Sequence, residues 1–193
     1  MKAVLISIQP KWCELSASGK KTVEVRKTRP KLETPFKVYI YETKDPRYEN
    51  LGYCWEKGKC FEQAVGKVIG EFTCSSVKSF SVPYPAYFAS MGYCATRLLV
   101  DAQLTKAQAH IYLKEKTGYA WRISDLKIYD KPRELWEFKA TCKEYGSDNP
   151  NCTECHYYID GMCYEYDESD CGCSGKKPIT RPPQSWMHVE VEG

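Results

Sequence analysis

The chain has 193 residues, 42% hydrophobic and 27% charged, the proportions of a soluble globular protein long enough to bury a real core. No apolar run approaches the length of a membrane span, and Met1-Lys2-Ala3-Val4-Leu5-Ile6-Ser7-Ile8 is too short an apolar stretch for a signal peptide. We therefore expect a cytoplasmic protein that does not engage membranes. The formal net charge of +3 conceals an asymmetry: residues 142–173 hold eight acidic side chains and one basic, leaving 27 basic and 17 acidic groups, or +10, in the rest. A basic body suits a polyanionic partner, and an acidic appendage can shield it or contact a protein partner.

In chain order, Val4 to Ile8 reads as a first strand. Pro10 suits the first position of a short helix whose Trp12, Leu15 and Ser16 share a face and which Gly19 can end. Gly19-Lys20-Lys21-Thr22-Val23-Glu24-Val25-Arg26 follows, with Val23 and Val25 alternating with Thr22, Glu24 and Arg26 as in a strand with one apolar and one polar face. Phe36 to Tyr41 alternates as another strand, residues 44–66 read as a loop, and Lys67 to Cys74 as a strand whose Gly70 marks a bulge or bend. Residues 86–116 are helical in tone, with Thr105 an N-cap. Tyr119–Ile123 and Asp125–Tyr129 read as two strands, and a strand near Trp186 to Val191 closes the chain after Arg181-Pro182-Pro183. His110 and His188 read as structural. Many short strands, two helical stretches and a returning terminal strand suggest a mixed α+β domain, a small β-barrel with helices over its openings.

Lysine, carboxylate and guanidinium on one strand face after a glycine make a plausible cleft wall. Lys21 can hold a phosphate as a point charge and Arg26 can clamp one bidentately. Glu24 can accept from a base amino group or set the protonation of the lysine. Tyr39, Tyr41 and Trp121 offer faces for a stacked base, although Trp121 and Trp186 suit core anchors better. Lys27, Arg29 and Lys31 could track a phosphate backbone. By itself such a strand also fits a solvated face whose charges pair across the sheet.

The segment written G-x-K-x-x-E-x-R, with its opening strand, its Pro10 helix, Gly118-Tyr119-Ala120-Trp121 and Arg181-Pro182-Pro183-Gln184-Ser185-Trp186, resembles the ASCH domain family of the PUA-like superfamily. It looks like the small bacterial or phage-borne members. The resemblance spans the chain outside residues 142–175 and implies a single PUA-like β-barrel domain over residues 1–193 whose cleft takes RNA or a modified nucleotide through Lys21, Glu24, Arg26 and Tyr41. Some relatives are hydrolases of N-acylated cytidine or of RNA. In the amide-hydrolysing ones a lysine corresponding to Lys21 works with a threonine, where this chain has Glu24, and with a distant glutamate, for which Glu71 is a candidate. The resemblance therefore favours binding, with nucleoside amidohydrolase or ribonuclease activity through Lys21 and Glu24 as the alternative.

The segment at about 142–175 contains six of the eleven cysteines and His156 beside Cys155. Cys152-x-x-Cys155 has the spacing by which one turn gives two thiolates to a tetrahedral zinc ion, and Cys171 and Cys173 can supply the second pair. Cys142 and Cys163 could substitute for members of that set. A loop so poor in aliphatic residues gains order from such a clip. The alternatives are a reduced acidic loop or an oxidisable one. The insert could also serve as a protein-interaction module.

Overall fold

The computed structural model describes residues 2–44, 54–55, 59–60, 65–82, 93–141, 158–159, 162–163 and 176–190. The elements in chain order are β1 (Lys2–Ile8), α1 (Pro10–Ala17), β2 (Val23–Arg26), β3 (Phe36–Glu42), β4 (Cys54–Trp55), β5 (Lys59–Cys60), β6 (Val68–Phe80), α2 (Tyr93–Asp101), α3 (Lys106–Leu113), β7 (Gly118–Arg133), a 3-10 turn (Leu135–Glu137), β8 (Lys139–Thr141), β9 (Tyr158–Ile159), β10 (Met162–Cys163), β11 (Lys176–Pro178) and β12 (Trp186–Glu190). Eight strands form one mixed sheet in the order β11-β8-β12-β1-β3-β6-β7-β2. Two small hairpins, β4–β5 and β9–β10, stand apart from it.

The centre of the sheet is buried on both faces, which is why β1 and β3 read as nearly continuous apolar runs. Val4, Ile6 and Ile8 of β1 join Phe36, Val38 and Ile40 of β3 in one cluster. The alternate residues Ala3, Leu5, Tyr39 and Tyr41 join a second with Val68, Leu135 and Phe138. β1 is parallel to β3, Val4 opposite Val38, and antiparallel to β12, Ile6 opposite Trp186. A third cluster packs Val23 and Val25 of β2 against Leu99 of α2, Ala109 and Leu113 of α3, and Ala102 between the two helices.

The sheet curls around the first cluster. Trp121 of β7, fully buried, meets Phe36 edge-on at 5.6 Å and lies 6.2 Å from Trp186. The expected closed barrel is nonetheless not formed: among the described residues no backbone pairing joins β2, the last strand of the order, to the strands across the gap. Side chains bridge there instead. Arg26 Nη2 donates to the carbonyl of Ser7 at 2.6 Å, and Trp186 Nε1 donates to Thr28 Oγ1 at 2.9 Å. The fold is thus an open, strongly curled α+β sheet.

Several element boundaries also differ from the sequence expectation. The two strands expected around 119–129 are one strand, β7, in which Asp125 takes φ +50° and the register with β6 shifts. β6 runs on to Phe80, well past Cys74. The helical stretch breaks at residues 102–105, where Gln103 has φ +56°. Thr105 then caps α3 as expected, in a reciprocal box with Gln108. The 44–66 stretch contains the β4–β5 hairpin. Among the described residues no helix is long and apolar enough to cross a membrane.

Candidate functional site

The gap left by the open sheet is where the polar motif gathers. α1 ends at Ser18, whose N–H reaches Glu14 O, and Gly19 takes the chain round at φ +74°. A Cβ on Gly19 would touch nothing within 4 Å, so its dihedral rather than space calls for glycine. The returning chain is fixed by Lys21 N–H to Leu15 O (2.8 Å) and Thr22 N–H to Asp101 O (2.9 Å). β2 then pairs with β7, Glu24 opposite Trp121. Its valines face α2 and α3, which turns Glu24 and Arg26 the other way, towards β1 and α1.

Lys21, Glu24 and Arg26 are 3%, 6% and 7% exposed. Glu24 stands between the two cations: Oε2 is 3.3 Å from Lys21 Nζ and Oε1 is 3.1 Å from Arg26 Nε. Lys21 Nζ also donates to Ala102 O at 3.0 Å and lies 5.2 Å from the centre of the Trp12 ring. Tyr112 of α3 hydrogen-bonds Arg26, and burial pushes its phenol above the usual range. The motif strand is therefore not a solvated charged face. Burying three charges costs several kcal/mol per ion before pairing offsets it.

All three side chains border a cavity of about 670 Å³, within the size range of small-ligand sites. Trp12 contributes one wall, Gln108 and Tyr112 another, and Gln184 and Ser185, just before β12, a third. Lys27 is at the rim with its Nζ 4.9 Å over the Tyr112 ring. Sequence reasoning did not single out Gln108, Tyr112, Gln184 or Ser185 for the site. The sequence marked Thr105 as an N-cap, and the capping box the structure forms there is what holds Gln108 in place.

The other candidates lie elsewhere. Tyr41 is buried in the second cluster, does not border this cavity, and has its phenol pushed up by burial. Tyr39 is in the same cluster, and Trp121 is in the core. Glu71 is also away from the cavity. Its carboxylate accepts from Lys37 at 2.9 Å and from the Tyr129 hydroxyl at 2.6 Å. Burial would raise its pKa, but those hydrogen bonds outweigh it and hold it below the usual range. Behind the site, Glu42 at the end of β3 is 5% exposed. Burial pushes its carboxyl up to about 7, against the lowering effect of a hydrogen bond with the Cys13 side chain. The proposed zinc ligands Cys152, Cys155, Cys171 and Cys173, with Cys142 and His156, lie outside the described residues. Among the described residues no group of His, Cys, Asp and Glu is arranged to hold a metal.

Among solved structures, the chain is similar to an ASCH protein from Zymomonas mobilis, with TM-score 0.49 and 22% identity over 69% of this chain and 73% of that one. Two mutants of the same Zymomonas mobilis protein match with TM-scores 0.48 and 0.46, at 22% and 20% identity, covering 69% and 70% of this chain and 74% and 77% of theirs. These structural neighbours are ASCH domain proteins. No family model matches the sequence, and no curated protein matches it.

Proposed function

We propose that this chain recognises RNA or a modified nucleotide in the cleft bordered by Lys21, Glu24 and Arg26. The observation that carries the reading is three charged side chains, none more than 7% exposed, forming one wall of one cavity. As a purely structural element, a buried ion pair or triad is often no better than well-packed apolar residues. Cations held in place beside a ring such as Trp12 suit a ligand with both charge and a flat face. The +10 body supplies long-range attraction for such a polyanion, and the motif's resemblance to ASCH domains supports the same partner.

The test is fluorescence anisotropy with short single-stranded RNAs and a panel of nucleotides. Binding that weakens as salt rises, and falls by about tenfold or more in Lys21→Ala and Arg26→Ala, is expected. Variants that remain folded and bind as the parent does would rule the cleft out. A second reading, hydrolysis of an N-acylated cytidine or of RNA at the same place, is favoured by the Lys21–Glu24 contact of 3.3 Å. An ammonium beside a carboxylate is a pair through which a proton can pass to a leaving group. Product formation by the parent, abolished in Lys21→Ala, separates it from binding alone.

A further inference from the structure

The charge of the cavity is unbalanced. Lys21, Arg26 and the rim residue Lys27 are cationic, and Glu24 is the one carboxylate among the described residues that border it. That carboxylate is already committed, one oxygen to each buried cation. Its Oε2 and the Arg26 Nε are sealed from solvent without a well-aligned hydrogen bond. A carboxylate so placed neutralises its neighbours but offers a ligand little.

Several neutral groups of the wall are engaged as well. Ser7 Oγ donates to Pro183 O at 2.6 Å, and the carbonyl of Ser7 accepts from Arg26. At the rim, Gln108 Oε1 accepts from the Thr105 N–H in the α3 capping box. Since that backbone donor requires an oxygen, the amide orientation is fixed and leaves Nε2–H₂. The hydroxyl of Tyr112 is bound to Arg26, and Thr28 Oγ1 accepts from Trp186. An ammonium and a guanidinium carry eight N–H donors between them. Among the described residues they donate to Ala102 O and Ser7 O and are ion-paired with the two Glu24 oxygens, without a well-aligned hydrogen bond at Glu24 Oε2 or Arg26 Nε. Spare donors and excess positive charge inside one partly closed cavity ask for an acceptor-rich anion.

We infer that the cleft holds a phosphate group, so that its ligand is a nucleotide or a phosphate-bearing RNA end and not a neutral nucleoside. This rests on the reading of the cleft as a nucleotide site and adds to it which part of the ligand the buried cations receive. Lys27, exposed and within reach of the opening, supplies a second positive charge to a dianionic monoester.

The experiment is calorimetric titration of the full chain with uridine, its 3′- and 5′-monophosphates, and inorganic phosphate as competitor. At least one monophosphate is expected to bind about tenfold or more tightly than uridine, and inorganic phosphate to compete with it. Lys27→Ala should weaken the monophosphate by about three- to tenfold, more than it weakens uridine, and lower the salt slope by about one. Lys27 is exposed and takes no part in the core, and a thermal melt checks the fold of the variant. Glu24→Gln, if folded, should tighten phosphate by removing the opposing charge. Uridine binding as tightly as both monophosphates would overturn the phosphate site while leaving the nucleoside cleft standing. Phosphate binding with no gain from an attached nucleoside would keep the anion site and overturn the nucleotide reading. Binding of neither overturns both.

Discussion

Glu42 sits at the end of β3 beside Cys13, with one carboxyl oxygen that has no hydrogen-bond partner among the described residues. Its pKa rises from 4.5 to about 7, chiefly because burial disfavours the charge. The folded chain therefore binds this proton more tightly than the unfolded chain does. The resulting stability is fully present below pH 4.5, declines as pH rises towards about 7, and is gone above it. The whole effect is on the order of 3 kcal/mol. Glu42→Gln keeps the shape without the titration. Its urea-unfolding free energy should stay flat between pH 4.5 and 7 relative to the falling parent, so that the variant is the more stable at pH 8. Parallel curves for the two proteins would show that Glu42 is already charged in the fold. The thiol of Cys13 is pushed up in turn, by burial first and by the Glu42 and Glu24 charges next, which makes it a poor nucleophile.

At the scale of elements, β6 and β7 are the longest paired strands described, and at Gly70 β7 lies tight against β6. A Cβ there would strike the backbone carbonyl of Lys127, with Ile128 side-chain and Cα atoms at 3.1 and 3.2 Å. Backbone cannot swing aside as a lysine tip can. Gly70→Ala should destabilise the fold by about 1–3 kcal/mol, read as a lowered urea midpoint with unchanged slope. An unaffected midpoint would mean the two strands separate there without cost. Gly70 was legible as a bend in the sequence, because a glycine inside an alternating run has few other uses. So were the Pro10 helix, the Gly19 turn, the Thr105 cap and the first three strands of the sheet, each marked by local chemistry. What escaped was set by tertiary contacts. β7 looked like two strands because Asp125 interrupts its pattern with a left-handed residue, yet pairing with β6 carries it through. The valine–charge alternation of β2 was visible, but a period of two cannot tell a solvated polar face from a buried one. The open seam was equally invisible, since it depends on side-chain bridges from Arg26 to Ser7 and from Trp186 to Thr28.

On the scale of the molecule, the acidic insert leaves and rejoins the sheet at neighbouring points. β8 and β11 pair antiparallel, with Thr141 opposite Lys176, so the residues that flank 142–175 lie side by side. Replacing that segment by a short turn should leave the melting temperature within a few degrees, because closing a shorter loop costs less entropy. RNA affinity should hold or rise once −7 of charge has gone. If the cysteines hold zinc, metal measured in the reduced parent at about one ion per chain disappears with the segment. A collapse of the fold in the deleted protein would instead show that the insert is part of the core. Another long-range pairing has a consequence in time. β1 runs beside β12, which follows it only after every other element described, and Ser7 N–H bonds Ser185 O at 3.0 Å. Contacts between residues so far apart in sequence form late and slow the search for the native state. During synthesis, the apolar edge of β1 that will face β12 waits uncovered, and one wall of the cavity is still missing. Lys21, Glu24 and Arg26 thus gain the wall made by Gln184 and Ser185 only when the segment leading into β12 docks.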